Sequence, residues 1–386
     1  MKKALFFSMI ILAIASCDTG EKTKPTVTEP IVTEPIVTEP IVTEPIVTEP
    51  IVTEPLKPTV TITDTSIQNS ENPPKDFSEL DAQARVFFGS LPQLAANSNN
   101  PITDEKVILG KTLYFDNILS KNQTQSCNTC HNLNTYGVDN KSFSEGNDGR
   151  FGERNTPTTL NAALHLSQFW DGREPDVEAQ VGVPVLNPDE MAMASEEDVI
   201  DRLENSDLYI DLFEDAFPLD QTPISFANMQ KAIAAFERKL ITPSKFDAYM
   251  NGNNQALNEA EKEGLNTFIE AGCTTCHMGP LLGGSMYQKF GLHADYWEYT
   301  KSKKIDLGRF DVTGKEVDKY VFKVPSLRNI SKTAPYFHDG SVESIHESVA
   351  IMAKVQVDKE LTPEEIERIV LFMETLTGEV PTELRN

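Results

Sequence analysis

Two short motifs carry the clearest chemistry in this chain. Cys127-Asn-Thr-Cys130-His131 and Cys273-Thr-Thr-Cys276-His277 both have the form C-x-x-C-H, the attachment signature of c-type haem. Two thiols one helical turn apart can form thioethers to two vinyl groups, and the imidazole that follows then falls beneath the iron as its proximal ligand. Of the five cysteines only Cys17 lies outside these motifs, so none remains for a structural disulfide. A redox C-x-x-C or a zinc site is the competing reading, but zinc would more usually be closed by thiolates without adjacent histidines. The second axial position decides what each iron does: a thioether there raises the potential and makes an electron carrier, whereas an open position admits a small oxidant. Beyond the two motif histidines the chain offers His165, His293, His338, His346 and ten methionines, and spacing does not choose among them. Methionines such as Met229 and Met373, on apolar helix faces, read as core.

Helices must position these motifs. Apolar residues recur at three and four in Leu80, Ala84, Phe87 and Phe88, again in Phe226, Met229, Ile233, Phe236 and Leu240, and again in Ile366, Ile369, Val370 and Met373, the spacing of amphipathic helices. Ser225 and Thr362 fall at N-cap positions, Pro363 at a first helical position, and Gly378 reads as a stop. Residues 132–157 and 278–317, rich in Gly, Asn or Pro, show no period and read as long loops of the kind that carry function or wrap a cofactor.

The front of the chain reads differently. Lys2 and Lys3 precede an apolar run from Ala4 to Ala15 that is too short to span a bilayer, the layout of a secretory signal over residues 1–17. Ile14-Ala15-Ser16-Cys17 resembles a bacterial lipobox, which implies a lipidated Cys17; a plain signal peptide with an incidental cysteine is the alternative. Residues 18–75 carry a Thr-Glu-Pro-Ile-Val repeat from about Val27 to Pro55. Fixed proline φ, β-branched neighbours and mutually repelling carboxylates predict a disordered, extended tether rather than a fold, and roughly thirty residues at about 3.1 Å each reach on the order of 90 Å. Repeat slippage without function reads the same segment equally well. The remaining chain is long enough for two modest domains, set at 76–240 and 241–386. A formal net charge of -25 disfavours a nucleic-acid partner, whose phosphates are bound mainly through Lys and Arg, and suits a solvated surface or the docking of a basic protein.

Several longer matches then occur in order: Arg154-Asn-Thr-Pro-Thr158, Gln168-Phe-Trp-Asp-Gly-Arg173, Glu190-Met-Ala-Met193, Ala334-Pro-Tyr-Phe-His-Asp-Gly340 and Glu347-Ser-Val-Ala-Ile-Met352. With the haem motifs they resemble the bacterial di-haem cytochrome c peroxidases over about Phe77 to Gln356. The resemblance implies an all-α fold of two cytochrome-c-like domains, each with one covalent c-type haem and with calcium between them. It implies His131 as proximal ligand of a peroxide-reducing haem, and His277 with Met352 as the ligand pair of a high-potential, electron-accepting haem. It places Trp170 between the haems, Gln180 and Glu190 in the distal pocket, and Asn155, Thr333 and Pro335 at the calcium. Glu190 would then be the acid/base that moves the peroxide proton, with Gln180 orienting the oxidant. By residue type alone Glu190 reads as surface, Trp170 as core and Asn155 as a turn residue.

The resemblance also implies hydrogen peroxide as substrate and pairing as a homodimer; the electron donor could be a small cytochrome c, a copper protein or a quinol-linked chain, and the signal segment with the haem motifs implies a periplasmic or cell-envelope location. One departure stands out. Many family members carry a capping histidine in the glycine-rich loop before Arg154; here the loop Ser144 to Gly152 has Asn147 at that place, and no histidine lies between His131 and His165. An amide is a poor iron ligand beside imidazole, so the N-terminal haem is expected to be open without reductive activation. The competing functions are a related di-haem oxidase acting on a protein or organic substrate, and a non-enzymatic electron carrier.

Overall fold

The computed structural model describes residues 75–385. The expected signal segment, Cys17 and all of the expected tether but Lys75 lie outside the described residues. Thirteen α-helices follow in order: α1 (Ser78–Phe87), α2 (Asp104–Phe115), α3 (Cys127–Cys130), α4 (Val177–Leu186), α5 (Glu196–Glu204), α6 (Asp207–Ala216), α7 (Phe226–Glu237), α8 (Lys245–Met250), α9 (Glu259–Glu270), α10 (Tyr296–Thr300), α11 (Phe310–Thr313), α12 (Ile345–Val357) and α13 (Pro363–Glu374). Strands β1 (Tyr287–Lys289) and β2 (Val321–Lys323) pair antiparallel, Gln288 opposite Phe322. The described residues are thus mainly helical, as expected, and none of their helices is long and apolar enough to cross a membrane.

Two main apolar cores organise the helices. The first gathers Leu109, Leu113 and Tyr114 of α2 with Met229, Ile233 and Phe236 of α7, and α4 to α6 pack around them. The second gathers Phe246, Leu265, Phe268, Ile369 and Phe372 from α8, α9 and α13. The chain ends cross between them: Leu80, Ala84 and Phe88 at the front pack in the second core, while Val380 and Leu384 at the back pack in the first. Each core has one pair of helices in backbone contact. A Cβ on Gly110 of α2 would lie 1.9 Å from the carbonyl oxygen of Ala232 on α7, and a Cβ on Gly264 of α9 would lie 2.0 Å from that of Arg368 on α13. Only glycine permits either crossing.

The caps follow the sequence in two cases. Ser225 accepts the backbone N–H of Asn228 and Thr362 that of Glu365, with Pro363 opening α13. Gly378 acts otherwise than expected. Helix α13 ends at Glu374, and Gly378 instead donates its N–H to the Asn329 side chain at 2.9 Å, tying the tail to a buried loop. The expected loop 278–317 contains β1, α10 and α11, each too short for an apolar period to register.

Candidate active site

The first C-x-x-C-H motif forms the single turn α3, opened where the backbone N–H of Ser126 donates to Thr129 Oγ1 at 2.9 Å. From the fully buried Tyr114 on α2, the hydroxyl donates to the His131 carbonyl at 2.6 Å, so the first core fixes the motif's exit. The His131 Nδ1 lies 3.3 Å from the Gly137 carbonyl, and His277 Nδ1 lies 2.8 Å from that of Leu282. A carbonyl can only accept, so Nδ1 carries the proton in each ring and the Nε2 lone pair is left for a metal. That bond to a backbone carbonyl fixes tautomer and orientation, as metal-binding imidazoles require. Burial lowers the pKa of both rings, keeping them neutral ligands.

All four motif cysteines are free thiols. Burial pushes the Cys127 thiol up to about 12 and Cys130 and Cys273 to about 11, and it also raises Cys276. A zinc site needs thiolates, which this burial disfavours. Among the described residues no cluster of three or more His, Cys, Asp or Glu is arranged to hold a metal ion. Uncharged, half-buried thiol pairs beside an oriented imidazole fit a covalent haem instead.

Gln180 stands on α4, whose N-terminus is capped by Asp176 accepting from Ala179. Glu190 follows in the turn that ends this segment, where its own N–H donates to the Asn187 carbonyl at 3.0 Å and Asn187 Nδ2 donates to Glu190 Oε1 at 2.8 Å. Its charge, with that of Asp139, adds to the burial that raises the Cys130 thiol. Burial raises Glu190 above the ordinary carboxylate range, against the pull of Asn187 and Arg173. Residue type alone had made Glu190 a surface carboxylate; the turn tucks it in.

The loop carrying Asn147 is docked on this turn. Asn147 donates its backbone N–H to the Glu190 carbonyl at 2.6 Å, accepts the Asn122 N–H on Oδ1 at 2.8 Å, and donates Nδ2 to Thr124 Oγ1 at 2.7 Å. Both ends of the amide are therefore engaged by residues 122–124. Lys121 paired with Asp148 at 2.7 Å adds a further tie.

Trp170 donates Nε1 to the Asn155 carbonyl at 2.9 Å, and the Asn155 N–H donates to the His338 carbonyl at 2.7 Å. Asn155 Nδ2 donates to the Lys141 carbonyl, which leaves its amide oxygen as the end a cation could use. Asn140, one residue before Lys141, donates to the Ala334 carbonyl at 2.8 Å, so this short segment links Asn155 to the stretch holding Thr333 and Pro335. Amide and backbone carbonyl oxygens are ligand types that suit a hard cation. Met352 is half-buried on α12.

The other four histidines differ in what they touch. His346 pairs with Glu367 at 2.9 Å on the surface, His293 is exposed, and His165 Nδ1 accepts from Lys323 at 3.1 Å. Burial lowers Lys323 to about 8. His338 is buried against Phe322 and has no partner on Nε2 nearer than Asp306 at 3.9 Å. Asp306 and Lys323 escaped the sequence reading, because each is far in sequence from its partner and no spacing rule links them.

Residues 104–255 match the family model for di-haem cytochrome c peroxidase. The chain is 42% identical over 303 residues to a cytochrome c551 peroxidase of Nitrosomonas europaea, covering 78% of this chain and 88% of that protein. It is also 42% identical over 304 residues to a cytochrome c551 peroxidase of Pseudomonas aeruginosa, covering 78% and 87%. Among solved structures, a MauG-like protein associated with microbial copper homeostasis superposes with a TM-score of 0.68 at 30% identity, covering 77% of this chain and 96% of that one. The chain belongs to the di-haem cytochrome c peroxidase family and is an oxidoreductase that acts on peroxide.

Proposed function

We propose that this peroxidase reduces hydrogen peroxide at an N-terminal haem held by Cys127, Cys130 and His131, and that this site is open at rest. Cys273, Cys276, His277 and Met352 would hold a second haem, which would supply one-electron uptake from a small redox protein. When bound, the haems supply the redox chemistry; the chain's own residues supply proton handling and access. Glu190, raised by burial and held by Asn187, takes a proton from the incoming peroxide and returns it to the departing oxygen as water forms. Gln180 orients the oxidant, and Trp170 couples the two haem sites. Asn155, Thr333 and Pro335 hold a calcium between the two haem domains, 76–240 and 241–386. A lipidated Cys17 and the repeat tether would anchor the enzyme, as a monomer or a homodimer, in the periplasm or cell envelope.

The observation that carries the open-site reading is the double engagement of Asn147. Its amide is spent on Asn122 and Thr124 while its backbone secures the Glu190 turn, so the loop supplies no imidazole and is tied down where a cap would have to swing. The test is turnover by the fully oxidised holoprotein, mixed with peroxide and a reduced cytochrome c without prior reduction. Reaction without a lag is expected in the wild type, and Asn147→His should introduce a lag that prior half-reduction removes. A lag in the wild type contradicts the reading. Met352 on α12 favours electron input over the related oxidase function, since a His/Met haem is easily reduced.

A further inference from the structure

The chain has only two tryptophans, Trp170 and Trp297, and they lie at the two ends of one continuous aromatic path. The Trp170 ring stands 6.3 Å from His338, His338 stands 5.2 Å from Tyr296, and Tyr296 stands 5.0 Å from Trp297, each pair edge to face. Phe290 stacks on Tyr296 at 4.7 Å and Phe322 on His338 at 4.4 Å, which excludes water from the middle of the path. Tyr296 is fully buried. Its hydroxyl is enclosed by the Asp306 backbone, donating to the carbonyl at 3.2 Å and accepting the N–H at 3.0 Å. The outer end opens to solvent: Trp297 is half-buried, Tyr320 lies 5.0 Å from it, and Trp297, Tyr299, Glu298 and Lys301 line an open surface pocket.

Indole and phenol are among the side chains most easily oxidised by one electron, and transfer between rings falls off steeply with distance, so an unbroken series of close rings is a route for charge. Packing alone accounts for aromatic clusters of this kind in many cores. It does not account for a path that brings the second tryptophan out to a solvent-facing pocket with an exposed tyrosine beside it.

We propose that Trp297 is a surface oxidation site at which small phenolic or aromatic-amine reductants deliver electrons to the peroxide-reducing centre. The idea rests on the peroxidase reading above and adds a second class of electron donor to it. Peroxide takes two electrons and two protons to become two waters. Each electron leaves Trp297 for Trp170 through the Tyr296 and His338 rings. The Trp297 indole releases its proton to solvent and regains an electron and a proton from one phenol, which departs as a phenoxyl radical. Two phenols are consumed per peroxide, so atoms and electrons balance. A lining that sets Trp297 and Tyr299 beside the Glu298 carboxylate and the Lys301 ammonium suits a small aromatic reductant.

The holoprotein with both haems would be given peroxide and guaiacol without a protein donor, as wild type, Trp297→Phe and Trp297→Tyr. Guaiacol oxidation is expected in the wild type, its loss in Trp297→Phe, and partial recovery in Trp297→Tyr, with turnover on reduced cytochrome c unchanged in all three. Peptide mapping after peroxide alone should find oxygen added at Trp297 or Tyr299, and guaiacol should suppress it. Guaiacol oxidation at the wild-type rate by Trp297→Phe, or no modification of the Trp297 peptide, overturns the proposal while leaving the peroxidase reading intact. Failure of the wild type to turn over on either donor overturns both.

Discussion

A carboxylate near a peroxide site must be basic enough to take a proton and still give it back. Burial raises Glu190, the Asn187 amide and Arg173 restrain it, and its turn is held by the Asn147 N–H. With Glu190 as the proposed base its ionised form is the active one, so activity should fall as pH drops through its pKa. Because that pKa is raised, the acid limb of kcat/KM should lie above the ordinary carboxylate range. Glu190→Gln should lower kcat by roughly a hundredfold to ten-thousandfold and remove that limb; a pH–rate profile of both forms checks it. At this level the sequence was unevenly legible. The haem motifs declared themselves by spacing, and Asn147 by the absence of a histidine. The burial of Glu190 did not, because it depends on a turn between α4 and α5 that no period encodes.

Helix pairs, not single helices, hold the two motifs in place. Tyr114 reaches the His131 carbonyl only because α2 lies against α7, and that contact depends on Gly110 under Ala232. Gly110→Ala should force the pair apart and cost about 1–3 kcal/mol. Gly264→Ala should do the same to α9 and α13. Chemical denaturation of the two holoproteins measures both, and unchanged midpoints would remove the close crossings from the account. The apolar spacing of α1, α7 and α13 predicted their existence, and Ser225 and Thr362 their starts. It did not predict that α1 packs in the second core or that Gly378 ties the tail to Asn329, since periodicity reports a face and not its partner.

The molecule is held as a whole by charge pairs between segments far apart in sequence. Arg154 grips Asp306 through two bonds of 2.7 and 2.9 Å and Asp171 through a third of 2.5 Å, and Arg309 caps the Asp171 and Gly172 carbonyls. These groups are largely buried, so removing Arg154 strands Asp306, while Asp171 keeps Arg173 at 3.1 Å. Arg154→Ala should cost on the order of 3–5 kcal/mol, and a thermal melt that moved no further than that of a surface variant such as Lys304→Ala would contradict it. Asp171 of the same network adjoins Trp170, and Asp306 lies 3.9 Å from His338, so the network borders the inner end of the aromatic path as well. An N-terminal haem that needs no unlocking would show itself in electron paramagnetic resonance of the fully oxidised holoprotein. A high-spin ferric signal beside one low-spin signal is predicted; two low-spin signals, with the high-spin one appearing only after half-reduction, would contradict it.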